Sequence, residues 1–109
     1  MKIAVSSTGS SSDASVSEKF GRCSYFVIYD TQTKAISVIA NPAENVEHGA
    51  GPKAAQLVIH ENIEVVLTGT VGGNADEALK KGGVKIVTGL TNSMKVLEAI
   101  DLYLNSKLT

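Results

Sequence analysis

The run Phe20-Gly21-Arg22-Cys23 contains the chain's only cysteine and has residue types that could hold an anionic, metal-containing group. Glycine lets the backbone turn tightly beside a ligand, and arginine presents five N–H donors in a planar fork. A nearby cation lowers the pKa of a thiol towards the thiolate, which suits iron or iron-sulfur species. We therefore predict Cys23 as a metal ligand. The alternative is a small apolar residue at a strand entrance, with Arg22 in solvent.

The turn His48-Gly49-Ala50-Gly51 places an imidazole and two glycines at the start of a predicted helix. An imidazole at this position could ligate a metal or donate a hydrogen bond to an anion. His48 is thus the second predicted metal ligand, and Gly49, Ala50 and Gly51 are predicted to contact the same group. The alternative for His48 is an exposed loop histidine with no ligand.

A glycine-rich turn, residues 69–74, lies between a predicted strand and a predicted helix. The free backbone N–H groups of Gly72, Gly73 and Asn74, together with the positive end of the helix dipole, could bind an anion. The spacing matches neither the dinucleotide fingerprint nor the phosphate loop. The alternative is that these glycines only allow a tight turn.

Other types of site are disfavoured by the residues available. A conventional iron-sulfur cluster takes four thiolates, whereas this chain has one cysteine, so it cannot hold such a cluster alone. The chain lacks the G-x-S-x-G nucleophile elbow and the paired Cys/His spacing of zinc sites. We therefore expect a non-catalytic protein.

These residues must be positioned by an α/β fold. The sequence predicts a three-layer structure in the order β-β-β-α-β-α-β-α, with helices on both faces of a mixed five-stranded sheet. Gly51 is predicted as the N-cap of the first helix. Asn62, directly after the last residue of this helix, can end it in a left-handed conformation. The predicted strands are residues 2–6, 25–29, 35–40, 64–68 and 84–87, and the predicted helices are residues 52–61, 74–81 and 93 to about 108. The three candidate groups then meet at the carboxyl edge of the parallel strands, where such sheets bind ligands.

Length and composition set further limits. The 109 residues match a single domain, residues 1–109, and the net charge of -1 disfavours nucleic-acid binding. No apolar run approaches the length of a membrane span, and the first residues lack a signal-peptide pattern. A single cysteine cannot form an internal disulfide, so we expect a cytoplasmic protein. We also expect a monomer, because no surplus apolar stripe stands out.

The motifs F-G-R-C, H-G-A-G and G-x-x-G-G-N-A, in this order after an MKIAV strand, resemble the dinitrogenase iron-molybdenum cofactor biosynthesis family over essentially the whole chain. The resemblance implies a ribonuclease-H-like fold and a protein that binds or carries iron-sulfur precursors of the nitrogenase cofactor. Two positions depart from the family pattern. Lys19 stands where histidine is frequent, which removes a possible metal ligand, and Gly73 stands where proline is frequent.

The sequence thus predicts a binding or carrier protein for an anionic iron-sulfur cluster or iron-molybdenum cofactor precursor, which exchanges its cargo with a donor or acceptor protein. The predicted contacts come from the three motifs: Phe20, Gly21, Arg22, Cys23, His48, Gly49, Ala50, Gly51, Gly72, Gly73 and Asn74. One alternative is a small enzyme or sensor that binds a phosphorylated metabolite at the same glycine-rich helix starts. Another is an interaction domain in which these residues are only structural.

Overall fold

A computed structural model describes residues 1–11 and 13–108 of the chain. Ser12, in the loop after the first strand, and Thr109, the last residue of the predicted domain, lie outside the described residues. Over the described residues the chain forms five strands, three α-helices and a single 3-10 turn at Phe20–Arg22. The strands are β1 (Lys2–Ser7), β2 (Tyr25–Asp30), β3 (Ile36–Ala40), β4 (Val65–Leu67) and β5 (Lys85–Val87), and the helices are α1 (Ala50–His60), α2 (Gly73–Lys81) and α3 (Val96–Leu104).

The five strands form one sheet in the order β3-β2-β1-β4-β5. β1 pairs antiparallel with β2 and parallel with β4, β2 pairs antiparallel with β3, and β4 pairs parallel with β5. β1 and β4 are buried on both faces, which explains their continuous apolar runs. The predicted element order and mixed five-stranded sheet are confirmed, and each strand end lies within one residue of its predicted position.

Alternate residues of each strand point to opposite faces of the sheet and build two core layers. On one face, Ala4, Phe26 and Val66 belong to a cluster with the apolar sides of α1 and α2. On the other face, Val5 and Val27 belong to a cluster with α3. Helices therefore cover both faces, as predicted. The longest of the described helices has 11 residues, and none of them is long and apolar enough to cross a membrane.

The start of α1 differs from the prediction, and its end agrees with it. The helix begins at Ala50 rather than Pro52, because Gly49 takes the N-cap position with a left-handed φ of 75° and its carbonyl accepts the N–H of Lys53 at 3.1 Å. Gly51 is therefore a helical residue and not the N-cap. The predicted left-handed closure at Asn62 is confirmed by its φ of 60°.

The predicted extent of α3, residues 93 to about 108, is wrong. Lys95 is extended, with ψ of 152°, and the helix covers only Val96–Leu104. The sequence also predicts one apolar stripe along this helix, formed by Leu97, Ile100, Leu104 and Leu108, and this is only partly right, because Leu97 and Leu104 are 39% and 45% exposed. The side chains of α3 that pack against the sheet are Val96, Ala99 and Ile100, which recur at the i, i+3, i+4 spacing of one helix face.

Candidate functional site

A cavity of about 380 Å³ opens at the carboxyl edge of the parallel strands, where the 3-10 turn meets the first turns of α1 and α2. Nine of the eleven residues predicted to contact a cofactor line it, and the exceptions are Cys23 and His48. Four further residues complete the lining. The full set is Lys19, Phe20, Gly21, Arg22, Gly49, Ala50, Gly51, Pro52, Thr70, Gly72, Gly73, Asn74 and Ala75.

Small residues allow the three elements around the cavity to approach closely. A Cβ atom added to Gly21 would lie 2.8 Å from the N and Cα atoms of Gly51. One added to Gly51 would lie 3.0 Å from the Cβ atom of Ala75. Since real Cβ contacts are longer than the first of these distances, glycine at position 21 is required for the 3-10 turn to pack on α1. The buried side chain of Phe20 packs the turn onto the core, with its ring centroid 5.4 Å from that of Phe26.

The glycines of the turn between β4 and α2 fall into two kinds. An added Cβ atom at Gly69 would lie 2.7 Å from the Cα atom of Glu18, so this glycine is required by packing. At Gly72 and Gly73 an added Cβ atom would meet nothing within 4 Å. Gly72 has φ of -66°, which any residue can adopt, and Gly73 is helical. The tight-turn alternative therefore accounts for Gly69, whereas neither packing nor backbone conformation requires glycine at positions 72 and 73.

Both helices that point at the cavity begin without a side-chain cap. Their N-cap residues are glycines, Gly49 and Gly72, and neither can supply a side-chain acceptor. Several first-turn N–H groups donate no hydrogen bond to any residue in 1–11 or 13–108, and they carry the partial positive charge of the helix dipole. These groups belong to Ala50, Gly51, Gly73, Asn74 and Ala75. The cavity thus offers two sets of backbone donors to an anion.

Lys19 also lines the cavity and is held there by backbone pairing. The N–H of Thr70 donates to the carbonyl of Glu18 at 2.7 Å, and the N–H of Phe20 donates to the carbonyl of Thr70 at 3.1 Å. Lys19 and Thr70 form a parallel bridge between these two bonds. Lys19 also lines a neighbouring cavity of about 290 Å³, which it shares with Arg22. The sequence prediction treated Lys19 only as a missing histidine, although a lysine next to the F-G-R run is itself an anion-binding signal.

Arg22 is exposed and binds main-chain carbonyls rather than a carboxylate. Its Nη1 donates to the carbonyls of Glu44, at 3.2 Å, and Val46, and its Nη2 donates to that of Glu47 at 3.5 Å. The described residues contain no salt bridge to Arg22. Its charge is therefore not neutralised by a partner, and its guanidinium ties the 3-10 turn to the segment before α1.

Cys23 lies in the core rather than at the cavity, with 1% of its surface exposed. Burial raises the pKa of the Cys23 thiol to about 12, even though Asn41 Nδ2 donates to its Sγ at 3.7 Å. The prediction that Arg22 lowers this pKa is therefore wrong, because the guanidinium binds carbonyls and loss of solvent dominates at the thiol. At neutral pH the thiol is protonated.

Asn41 holds the backbone behind the cavity and was not predicted to matter. Its buried Nδ2 donates to the carbonyls of Gly21, at 3.1 Å, and Cys23, at 2.9 Å. Its Oδ1 accepts the N–H of Ala43 at 3.0 Å. The side chain thus fixes the 3-10 turn against the end of β3. The sequence signal was the Asn-Pro dipeptide, which marks a turn.

His48 is exposed and precedes the N-cap of α1 without lining the cavity. Within residues 1–11 and 13–108, no group of three or more His, Cys, Asp and Glu side chains is arranged to hold a metal ion. Because Cys23 is buried and His48 lies outside the lining, the structure does not bring the two predicted ligands together at the cavity. Metal ligation by either residue stays a prediction.

The fold and the cavity define a small α/β protein with two uncapped helix starts facing one cavity at the carboxyl edge of its sheet. The chain matches the dinitrogenase iron-molybdenum cofactor family model over residues 1–106, and it belongs to that family. The predicted family is therefore confirmed. It is also 30% identical over 96 residues to an uncharacterized protein of Methanocaldococcus jannaschii, a match that covers 85% of this chain and 80% of the relative.

Two solved structures share the fold and about a third of the sequence. The apo form of the orange protein from Desulfovibrio gigas superposes with a TM-score of 0.93 at 35% identity, covering 99% of this chain and 90% of that one. A NifB-like protein from Thermotoga superposes with a TM-score of 0.85 at 36% identity, covering 98% and 90%. Together with family membership, these similarities indicate a cofactor-related binding or carrier role.

Proposed function

We propose that this protein binds and carries an anionic metal-sulfur group, of the kind represented by an iron-sulfur cluster or an iron-molybdenum cofactor precursor, in the cavity between the 3-10 turn and the starts of α1 and α2. One observation carries the proposal. Positions 72 and 73 are glycines although neither packing nor backbone conformation requires glycine there. Both residues line the cavity at which α1 and α2 begin without side-chain caps. Such positions favour a ligand that approaches the backbone closely.

The electrostatics of the cavity suit an anion. Each helix start stabilises a nearby negative charge by about 0.3–1 kcal/mol when exposed, and by more when water is excluded. Lys19 and Arg22, which also line the cavity, add two cations. An acidic residue, Asp76, lies in the first turn of α2, but its carboxylate pairs with Lys80 at 3.0 Å. The resulting field favours negative cargo over neutral cargo.

The cargo is held, in this proposal, by hydrogen bonds and charge rather than by a protein thiolate. A metal-sulfur cluster brings its own sulfides, which accept hydrogen bonds from backbone N–H groups. The buried, protonated thiol of Cys23 supplies no bond that would have to be broken on release. Binding is therefore reversible and non-catalytic, as a carrier that delivers cargo to an acceptor protein requires. A protein that keeps its single cysteine as a thiol is also suited to the cytoplasm.

Reconstitution tests the proposal. The protein is incubated anaerobically with ferrous iron and sulfide, or with isolated iron-molybdenum cofactor, then desalted and measured by visible absorbance and metal analysis. We expect retained absorbance in the wild type and at least about a tenfold loss of affinity in Gly72→Val, whose side chain enters the cavity. Lys19→Gln should weaken binding, and Lys34→Gln, in the exposed turn before β3, is the matched control.

Three further outcomes distinguish the alternatives. No retained absorbance with any of these cargoes would overturn the metal-sulfur proposal. Loss of binding in Cys23→Ala or His48→Ala, with the fold intact, would instead assign direct ligation to that residue. A rise in melting temperature with sugar phosphates or nucleotides, abolished by Gly72→Val, would favour a phosphometabolite-binding protein, because the same helix starts accept phosphate.

A further inference from the structure

The strand β3 forms one edge of the sheet and is unusual in its exposure. Four of its five residues are exposed, and they include the apolar side chains of Ile36 and Val38, which are 46% and 38% exposed. These two side chains lie on the face of the sheet that α3 covers over β1 and β4, but α3 does not extend over β3. An apolar strip is thus left open along this edge.

The outer backbone groups of β3 are also free. The N–H of Asp30 donates to the carbonyl of Ala35, and the N–H of Asn41 donates to the carbonyl of Ser24, both at 3.0 Å. Because hydrogen-bonded and non-hydrogen-bonded pairs alternate in an antiparallel ladder, the odd-numbered residues of β3 bond to β2. The N–H and C=O groups of the even-numbered residues point outwards. Within the described residues, the outward N–H and C=O groups of Ile36, Val38 and Ala40 have no hydrogen-bond partner.

We propose, in place of the monomer expected from the sequence, that β3 pairs antiparallel with β3 of a second copy, about a two-fold axis at Val38, so that two sheets join into one. In this register Val38 faces Val38 of the other copy, and Ile36 faces Ala40. All six outward residues of the two strands then fall in hydrogen-bonded pairs, since three from each copy point to the new partner. A two-fold interface must be self-complementary, and this register satisfies every outward backbone group with its own symmetry mate.

The exposed apolar side chains support the same register. Paired residues in an antiparallel ladder lie on the same face, so Ile36, Val38 and Ala40 of both copies form one continuous strip. This strip continues that of Tyr25 and Tyr29, the half-buried residues beside Ala40 and Ile36 on β2. Pairing thus buries apolar surface that the monomer leaves in water.

The charges around β3 favour a second copy. The strand itself carries no charge, no proline and no bulge, which are the usual means of protecting an edge from pairing. Antiparallel pairing brings the end preceded by Lys34 in one copy to the end followed by Glu44 in the other. The carboxylate of Asp30, also near the Lys34 end, accepts the N–H groups of Gln32 and Thr33. With a net charge of -1 on each chain, the copies repel each other little.

Sedimentation and hydrogen exchange test this pairing on the full chain. We expect the mass to rise from 11.4 kDa towards twice that value with concentration. The amides of Ile36, Val38 and Ala40 should become protected over the same range. The amides of Ser37 and Ile39, which bond to β2, should be protected throughout. This alternation is the readout specific to β3 pairing.

Substitutions give a second readout. Val38→Lys places two lysines opposite each other on the two-fold axis, and it should raise the dimer dissociation constant by at least about tenfold. Val38→Thr keeps a β-branched residue and should retain the dimer, and Gln56→Lys, on the exposed face of α1, controls for the added charge. A mass that stays at 11.4 kDa up to millimolar protein, or a dimer that Val38→Lys leaves intact, would overturn the proposal. Alternating protection that appears only with another protein would instead assign the edge to that partner.

Discussion

A Cβ atom at Gly21 would lie 2.8 Å from the Cα atom of Gly51, so the 3-10 turn and the first turn of α1 meet backbone to backbone. Both residues line the cavity, and both come from motifs predicted to contact a ligand. The glycine at position 21 therefore has a packing role that is separate from any ligand. Its replacement is expected to change the folded protein even without cargo.

Gly21→Ala should lower the free energy of unfolding by about 1–3 kcal/mol, because the contact atoms belong to backbone and cannot move aside. Chemical denaturation of the cargo-free protein measures this. Gly72→Ala is the matched control, since its Cβ atom meets nothing within 4 Å, and it should change stability by less than about 0.5 kcal/mol. Equal stability of the two variants would contradict the packing role.

Cys23→Ala should flatten the pH dependence of stability in alkali. The thiol has a pKa of about 12 in the folded protein against an ordinary value of 9.0 for a cysteine in water, so the folded state keeps its proton longer than the unfolded chain does. Stability therefore falls as pH rises above 9, because the unfolded chain loses the thiol proton there whereas the folded state keeps it. Between pH 9 and 12 the folded state binds more protons than the unfolded chain, so the free energy of unfolding decreases as pH rises, with a slope of at most about 1.4 kcal/mol per pH unit.

Urea unfolding between pH 8 and 11 measures this slope in wild type and Cys23→Ala. The contribution of the thiol is fully present below pH 9 and is lost as pH rises towards 12. Parallel curves for wild type and variant would show that the thiol does not titrate differently on unfolding.

Asn41→Asp should destabilise the protein by about 3 kcal/mol or more at neutral pH. The substitution removes the amide that donates to the carbonyls of Gly21 and Cys23, and it buries a carboxylate beside them. Thermal unfolding provides the measurement. Because protonation removes the buried charge, the deficit relative to wild type should shrink at acid pH. Asn45→Asp, in the same loop but less buried, should show neither effect.

Arg22→Lys should loosen the segment before α1. A lysine ammonium cannot reproduce the planar fork that reaches the carbonyls of Glu44, Val46 and Glu47. We expect a loss of about 1 kcal/mol in stability and faster amide exchange in residues 43–48, measured by hydrogen exchange. The control is Lys19→Arg, which keeps the charge at the cavity. Unchanged exchange in residues 43–48 would show that the segment is held without the guanidinium.

Most of the fold could be predicted because its signals are local. β-branched runs bounded by turn residues marked all five strands, and Asn62 marked the end of α1. The start of α1 was missed because Pro52 is acceptable anywhere in the first turn, so its position did not distinguish Gly49 from Gly51 as the N-cap. The extent of α3 was missed because leucines at helical spacing occur on its exposed side as well as its buried one.

The location of the candidate site could be predicted because parallel strands bring their following turns to one edge. Which side chains face the cavity could not, because that depends on packing between distant segments. Cys23 illustrates this, since its neighbour Arg22 is a sequence fact, whereas its burial beside Asn41 is a tertiary one. The free edge of β3 also depends on where α3 ends over the sheet.

Backbone hydrogen bonds join Glu18 and Phe20 to Thr70, so the side of the cavity at Lys19 is a short β-bridge rather than a loop without backbone pairing. Backbone that is already ordered loses little conformational entropy when a ligand arrives. The proposed cargo would therefore lose little of its interaction energy in ordering this backbone, and it would bind and dissociate without a slow refolding step. Rapid exchange at modest affinity is the kinetic behaviour that such a pre-formed bridge permits.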